Sequence, residues 1–205
     1  MFFGKYVSQL MLLAAVFAIG VLVTGGAWWW MSSGSRLMFK SSSQVITKMQ
    51  SLQRLETAQF TLETIIDGGT SGNQIQQLLF GDRILLIAHG EVIGGVDLSE
   101  LTEKDVELMG TTLKITLPPT RVLVTTLDSE KTRVYDRKQG LLTKGNVNLE
   151  TEARKSAESE LLAAACEGGI LTQAATNAQK ELEQFFSLAG FTKVTVVAPV
   201  GSCEI

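Results

Sequence analysis

No charged residue interrupts the chain between Tyr6 and Ser35, and the stretch from Leu10 to Met31 is apolar on every side. A helix rises ~1.5 Å per residue, so these ~22 positions reach ~33 Å, enough to cross a bilayer's hydrocarbon core. Leu10, Leu12, Leu13, Val16, Phe17, Ile19, Val21, Leu22 and Val23 supply the apolar surface. Trp28, Trp29 and Trp30 come next, then Arg36 and Lys40, in the order of an interfacial aromatic belt and a cationic border. A cleaved signal peptide has a shorter core of ~7–15 residues, and here the tryptophans would directly follow its cleavage site at Gly25-Gly26-Ala27. Residues 1–35 are therefore expected to form an uncleaved single-pass anchor. Positive charges on both flanks leave the orientation open. The short segment ahead of the span favours export of the domain on its C-terminal side, so the expectation is a cell-membrane protein with an extracytoplasmic domain.

Beyond the span, Ser32 to Ser43 is serine-rich and residues 36–50 read as a juxtamembrane spacer, with 44–56 a short helix or the approach to a strand. Phe60, Leu62, Thr64 and Ile66 alternate with Thr61, Glu63 and Ile65, a strand pattern, and Asp67 to Asn73 reads as a loop. Ile84–Ala88 and Val92–Val96 flank His89-Gly90-Glu91 and predict a β-hairpin with Gly90 in its turn. Thr102 to Asp105 has the form of a capping box. Leu113, Ile115 and Leu117 predict a strand that Pro118-Pro119 ends. Val122, Val124 and Thr126 continue extended, and Thr132 to Tyr135 pairs back after a turn at Asp128.

After Gly145 the period becomes helical. Leu149, Ala153, Ala157, Leu161, Ala164 and Ala165 share one face, with Asn148 as N-cap, and Gly168-Gly169 breaks the helix. A second helix begins near Thr172 with Leu171, Ala174, Ala175, Ala178, Leu182, Phe185 and Phe186 on its apolar face, and Gly190 as its C-cap. Phe191 to Ala198 is a last strand. The expected fold class is α+β: a mostly antiparallel sheet covered by two C-terminal helices and closed by a final strand, over residues 51–200, with 201–205 a tail.

Composition narrows the function. With a net charge of −3 and a pI near 5.3, the chain does not suit a nucleic-acid binder held by phosphate contacts. Two cysteines and one histidine do not make a structural zinc site, so no metal and no cofactor is expected. His89 is read as a turn residue, and Asp97 as the start of a helical turn whose carboxylate accepts local N–H groups. Cys166 closes an alanine-rich helix. A Cys166–Cys203 bridge requires an exported domain, and sequence leaves the pairing open.

The stretch from Ala88 through Gly90, Gly95, Asp97 and Leu98 to Ser99 resembles the "G-x-V-x-x-G-[VI]-D-L-S" segment of a bacterial family catalogued as domain of unknown function 4230. Leu113 to Pro118, Leu127-Asp128, Val134-Tyr135, Ala153-Arg154, Gly168 to Ala174 and Gly190 to Val194 continue the resemblance, which spans roughly residues 50–198. It implies an N-terminal membrane segment and no particular activity. The order of elements, and the tail around Gly190-Phe191, is also similar to stomatin- and prohibitin-type membrane scaffolds. The function expected on these grounds is non-enzymatic: a bilayer-anchored domain that binds a protein partner or itself, with no nucleic acid. The rival expectations are a hydrolase-like enzyme using Asp97, Ser99 or His89, and a module binding a lipid or small ligand.

Overall fold

The computed structural model describes residues 41–70 and 72–203; the expected anchor lies outside the described residues. No helix among the described residues is long and apolar enough to cross a membrane. The order is α1 (Ser42–Gln50), β1 (Arg54–Gly69), α2 (Gln74–Phe80), β2 (Asp82–Asp97), two 3₁₀ turns (Leu98–Glu100 and Glu103–Asp105), β3 (Val106–Met109), β4 (Thr112–Thr116), β5 (Arg121–Leu127), β6 (Arg133–Gln139), α3 (Leu149–Glu167), α4 (Ile170–Leu188) and β7 (Lys193–Val197).

The mixed α+β class, the antiparallel sheet and the C-terminal helix pair are present. The predicted hairpin at Gly90 is not. Residues 82–97 form one uninterrupted strand, 16 residues long, paired antiparallel to all of β1. The alternation runs straight through the supposed turn. Ile84, Leu86, Ala88, Gly90, Val92, Gly94 and Val96 all point to the same buried face. On its other edge β2 pairs with β5 through residues 90–95 and with β6 through residues 82–87. Thus β6 returns to β2, and not to β5 as predicted.

A second, three-stranded sheet has the order β3-β4-β7. Its β4–β7 pair is parallel, a departure from a purely antiparallel plan. Part of the segment expected as a spacer is helical. Within it, α1 inserts Val45, Ile46 and Met49 into the core around Leu98, Leu113 and Phe186. Ser41 caps this helix by accepting from the Gln44 N–H.

Both long helices lie on one face of the large sheet. Leu149, Ala153 and Ala157 of α3 pack on Ile84, Leu86 and Ala88. Leu161 of α3, with Ile170 and Ala174 of α4, packs on Ala58 and Val92. Small side chains bring backbones close, and polar bonds then fix the distance. The Thr57 hydroxyl donates to the Ala174 carbonyl at 2.8 Å, the Asn177 amide to the Thr57 carbonyl at 2.6 Å, and the Thr120 hydroxyl to the Leu171 carbonyl at 3.2 Å. Two predicted face residues, Ala164 and Phe185, are instead exposed, because each stripe drifts around its helix. α4 starts two residues earlier than predicted, at Ile170, where Gly169 takes φ +78°. Gly190 ends it at φ +107°, and the Phe191 N–H reaches back to the Phe186 carbonyl.

The expected tail is pinned. Cys203 is disulfide-bonded to Cys166 with Cα atoms 6.0 Å apart, and the Gly201 N–H donates to the Thr120 hydroxyl.

Candidate functional site

The even-numbered residues of β2 are spent on the helices, so the odd-numbered ones define the opposite face. Leu85, Ile87, His89, Glu91 and Ile93 emerge there half-buried. Across the β1 pairing, Ile65 stands beside Ile87, Glu63 beside His89 and Thr61 beside Glu91. On the β5 side, Val124 lies opposite Ile93 and Thr126 opposite Glu91. The face therefore has an apolar patch at Ile65, Leu85 and Ile87, a second at Ile93 and Val124, and a polar middle centred on His89. Among the described residues both long helices sit on the far side of the sheet.

The polar middle is a shallow depression of about 370 Å³ lined by Thr61, His89, Glu91, Thr126, Asp128 and Lys131. His89 Nδ1 lies 3.5 Å from a Glu63 oxygen. The Gln59 amide donates to Glu91 at 2.5 Å. The Lys131 ammonium pairs with Asp128 at 2.9 Å, which raises the Lys131 pKa and lowers that of Asp128. The His89 backbone is tied to the β5–β6 turn. Its carbonyl accepts from the Asp128 N–H at 2.8 Å and the Thr132 hydroxyl at 3.1 Å. The histidine is thus a strand residue in a carboxylate-rich setting, and not a turn residue. Its neighbours Glu63 and Glu91 were missed in the sequence, although each shares its strand's alternation with residues of the same face.

Asp97 is at the other end of β2. Its carboxylate accepts from the Ser99 hydroxyl and, at 3.0 Å, from the Ser99 N–H, and it pairs with Arg121 at 2.9 Å. These bonds, the serine's foremost, hold its pKa below the usual carboxylate range. Arg121 also reaches Glu100 at 2.5 Å. This is the local capping role expected of Asp97. Eight residues of extended strand separate it from His89, which at ~3.3 Å per residue is ~26 Å. The fold does not bring Asp97, Ser99 and His89 into one constellation.

The other motif residues have packing roles. A side chain at Gly90 would meet the Thr126 carbonyl oxygen at 2.5 Å and Leu161 at 2.6 Å; one at Gly95 would meet the Leu55 carbonyl. Leu98 is fully buried in the core under the small sheet. Pro118 follows β4 and starts the crossover to β5, as expected. No three His, Cys, Asp or Glu side chains among the described residues are grouped to hold a metal ion.

The architecture is a long antiparallel sheet with two helices on one face and, among the described residues, no helix on the other. A family model for a protein of unknown function, DUF4230, matches residues 47–196, and the chain belongs to that family. No curated protein and no solved structure matches the chain. The likeness to stomatin and prohibitin thus finds no counterpart in these comparisons.

Proposed function

We propose that this chain is a single-pass membrane protein whose domain works without catalysis, docking a protein partner or a second copy on the open face of its large sheet. The observation that carries the reading is the apolar surface of exposed Ile65 and half-buried Leu85, Ile87 and Ile93, presented beside a 16-residue edge strand, β1. An antiparallel sheet is stable with one wet face, but a wet face is normally polar at alternate positions. Four aliphatic side chains at those positions favour a cover. The polar and charged groups at its centre, Glu63, His89, Glu91 and Lys131, would set which partner fits.

The Cys166–Cys203 bridge supports an extracytoplasmic domain, since disulfides persist in oxidising compartments. The test is photocrosslinking of the full chain in its native membranes, with the crosslinker at position 65 or, as control, at exposed Thr176 on α4. Position 65 should yield a discrete adduct, identified by mass spectrometry, that position 176 does not. Equal or absent adducts at both positions would refute the open face as the docking surface.

A further inference from the structure

At the end of the large sheet where β1 finishes and β2 begins, two segments meet. α2 buries none of its residues. The loop after β6 is bonded to it backbone to backbone: the Leu141 N–H donates to the Leu78 carbonyl at 3.1 Å and the Leu142 N–H to the Leu79 carbonyl at 2.7 Å. The tip is fastened at its base. Asp82, 3% exposed, accepts from Arg137 at 2.8 and 3.1 Å and from the Asn146 N–H at 2.6 Å, fastening the loop to β2. On this base Ile75 is 70% exposed, Leu78 64%, Phe80 57%, Leu141 78% and Val147 89%. A folded chain that leaves six large apolar side chains on one tip, Leu142 being the sixth, presents a contact surface.

Two observations select the occupant. Every exposed charge on the segments 72–83 and 137–149 is positive (Arg83, Arg137, Lys138 and Lys144), although the whole chain is acidic. Arg83, Arg137 and Lys138 pair with Asp67, Asp82 and Asp136, while Lys144 has no ion pair among the described residues. The area is also small. A stable protein interface takes roughly 20–30 residues a side, and six protruding side chains are far fewer. Apolar side chains that project beyond a rim of mostly ion-paired cations, with Lys144 left over, match the boundary between headgroups and acyl chains of an anionic bilayer. We infer that the tip formed by α2 and residues 140–147 is a second membrane contact, inserting Leu78, Phe80, Leu141 and Leu142 into the interface of an anionic lipid surface. It lies one strand length from α1 and does not involve the open sheet face.

The test uses the full chain carried in neutral phosphatidylcholine nanodiscs and challenged with vesicles of either pure phosphatidylcholine or 30% phosphatidylglycerol. Capture of the anionic vesicles should exceed that of the neutral ones at least 5-fold. The double substitution Leu141→Glu, Leu142→Glu should reduce it at least 5-fold, and Lys144→Glu should reduce it less. All these positions are exposed or half-exposed, and an unchanged thermal transition shows that the fold is intact. If the chain does not enter nanodiscs, the anchor reading fails, and the same vesicles are offered to the free chain. Equal capture of both vesicle types, or of wild type and double variant, overturns the inference. So do tip-dependent crosslinked dimers without vesicle capture, which would make the tip a protein contact.

Discussion

Gly90→Ala tests the central packing claim, that β2 runs unbroken beneath the helices because glycine is present where α3 crosses it. The added methyl group would meet two neighbours, the Thr126 carbonyl oxygen at 2.5 Å and Leu161 Cδ1 at 2.6 Å. The first is backbone, held in the β2–β5 ladder where Gly90 faces Leu127 and Glu91 faces Thr126. The second belongs to a side chain 1% exposed, with little room to turn. Overpacking of this kind costs about 1–3 kcal/mol, against which alanine's smaller unfolded-state entropy returns about 0.4–1 kcal/mol. The clash with backbone places the net loss at about 1–2 kcal/mol. Gly68→Ala is the matched control on β1, because its methyl would sit an ordinary 3.5 Å from Ile84. It should be neutral within about 0.5 kcal/mol or slightly stabilising.

The assay is urea unfolding of the full chain in mild detergent, followed by far-UV circular dichroism. Combining Gly90→Ala with Leu161→Ala should cost less than the sum of the two singles, since the truncated leucine no longer opposes the methyl group. If Gly90→Ala behaves like Gly68→Ala, helix α3 does not press on β2 at this position. The account of the glycine-rich motif as a packing device would then be wrong.

Other outcomes rest on the same structure. Asp82→Asn should destabilise the domain by about 1–3 kcal/mol, less than for a fully buried pair because Arg137 is one-third exposed; denaturant melts check it. Arg137 and the Asn146 N–H hold the Asp82 pKa down, so its contribution is complete above the unfolded carboxylate value. That contribution is lost as the pH falls below about 4, and the wild type should lose more stability than Asp82→Asn across that window. Reducing Cys166–Cys203, which are separated by 37 positions, should cost about 2–4 kcal/mol, read as a lower urea midpoint with reductant. Ala178→Leu, at a fully buried site beside Leu182 and Phe186, should cost about 1–3 kcal/mol, while exposed Gln179→Leu should stay within about 0.5 kcal/mol.

The local periodicities were readable in the sequence, and the errors arose wherever a distant partner decides. The helix pair, the strand at Leu113 to Leu117 and the capping at Asp97 depend on residues a few positions apart. Gly90 is ambiguous on that scale, because glycine serves a tight turn and a close helix crossing equally well. Only Leu161, 71 positions later, tells them apart. The parallel β4–β7 pair joins Thr112 to Lys193, and nothing local specifies its direction. Helix α2 was hidden by its glutamines and by the lack of a buried stripe. Its one legible mark was Asn73 accepting from the Gln76 N–H while the Gln76 side chain reaches back to Asn73. The candidate site obeyed the same rule: His89 stood out as the lone imidazole, but Glu63 meets it only through the β1–β2 register.

The period of two on β2 separates a face packed on the helices from an open face on a single strand. Its even positions are matched in size to the helices, glycine at 90 under Leu161 and glycine at 94 under Ile170 and Ala174. Their substitution alters how closely the layers approach, and so acts on folding. Its odd positions, from Leu85 to Ile93, meet no helix among the described residues, and their side chains can change without disturbing that spacing. The glycine-rich stretch that carries the family resemblance is on this account the floor of a helix–sheet joint. The residues that we propose select a partner are interleaved with it, one position out of step. Substituting Ile87→Ser or Glu91→Lys should therefore alter partner crosslinking at position 65 while leaving the urea midpoint closer to wild type than Gly90→Ala does. A loss of fold from the odd-position changes, with partner binding intact in Gly90→Ala, would reverse the assignment of the two faces.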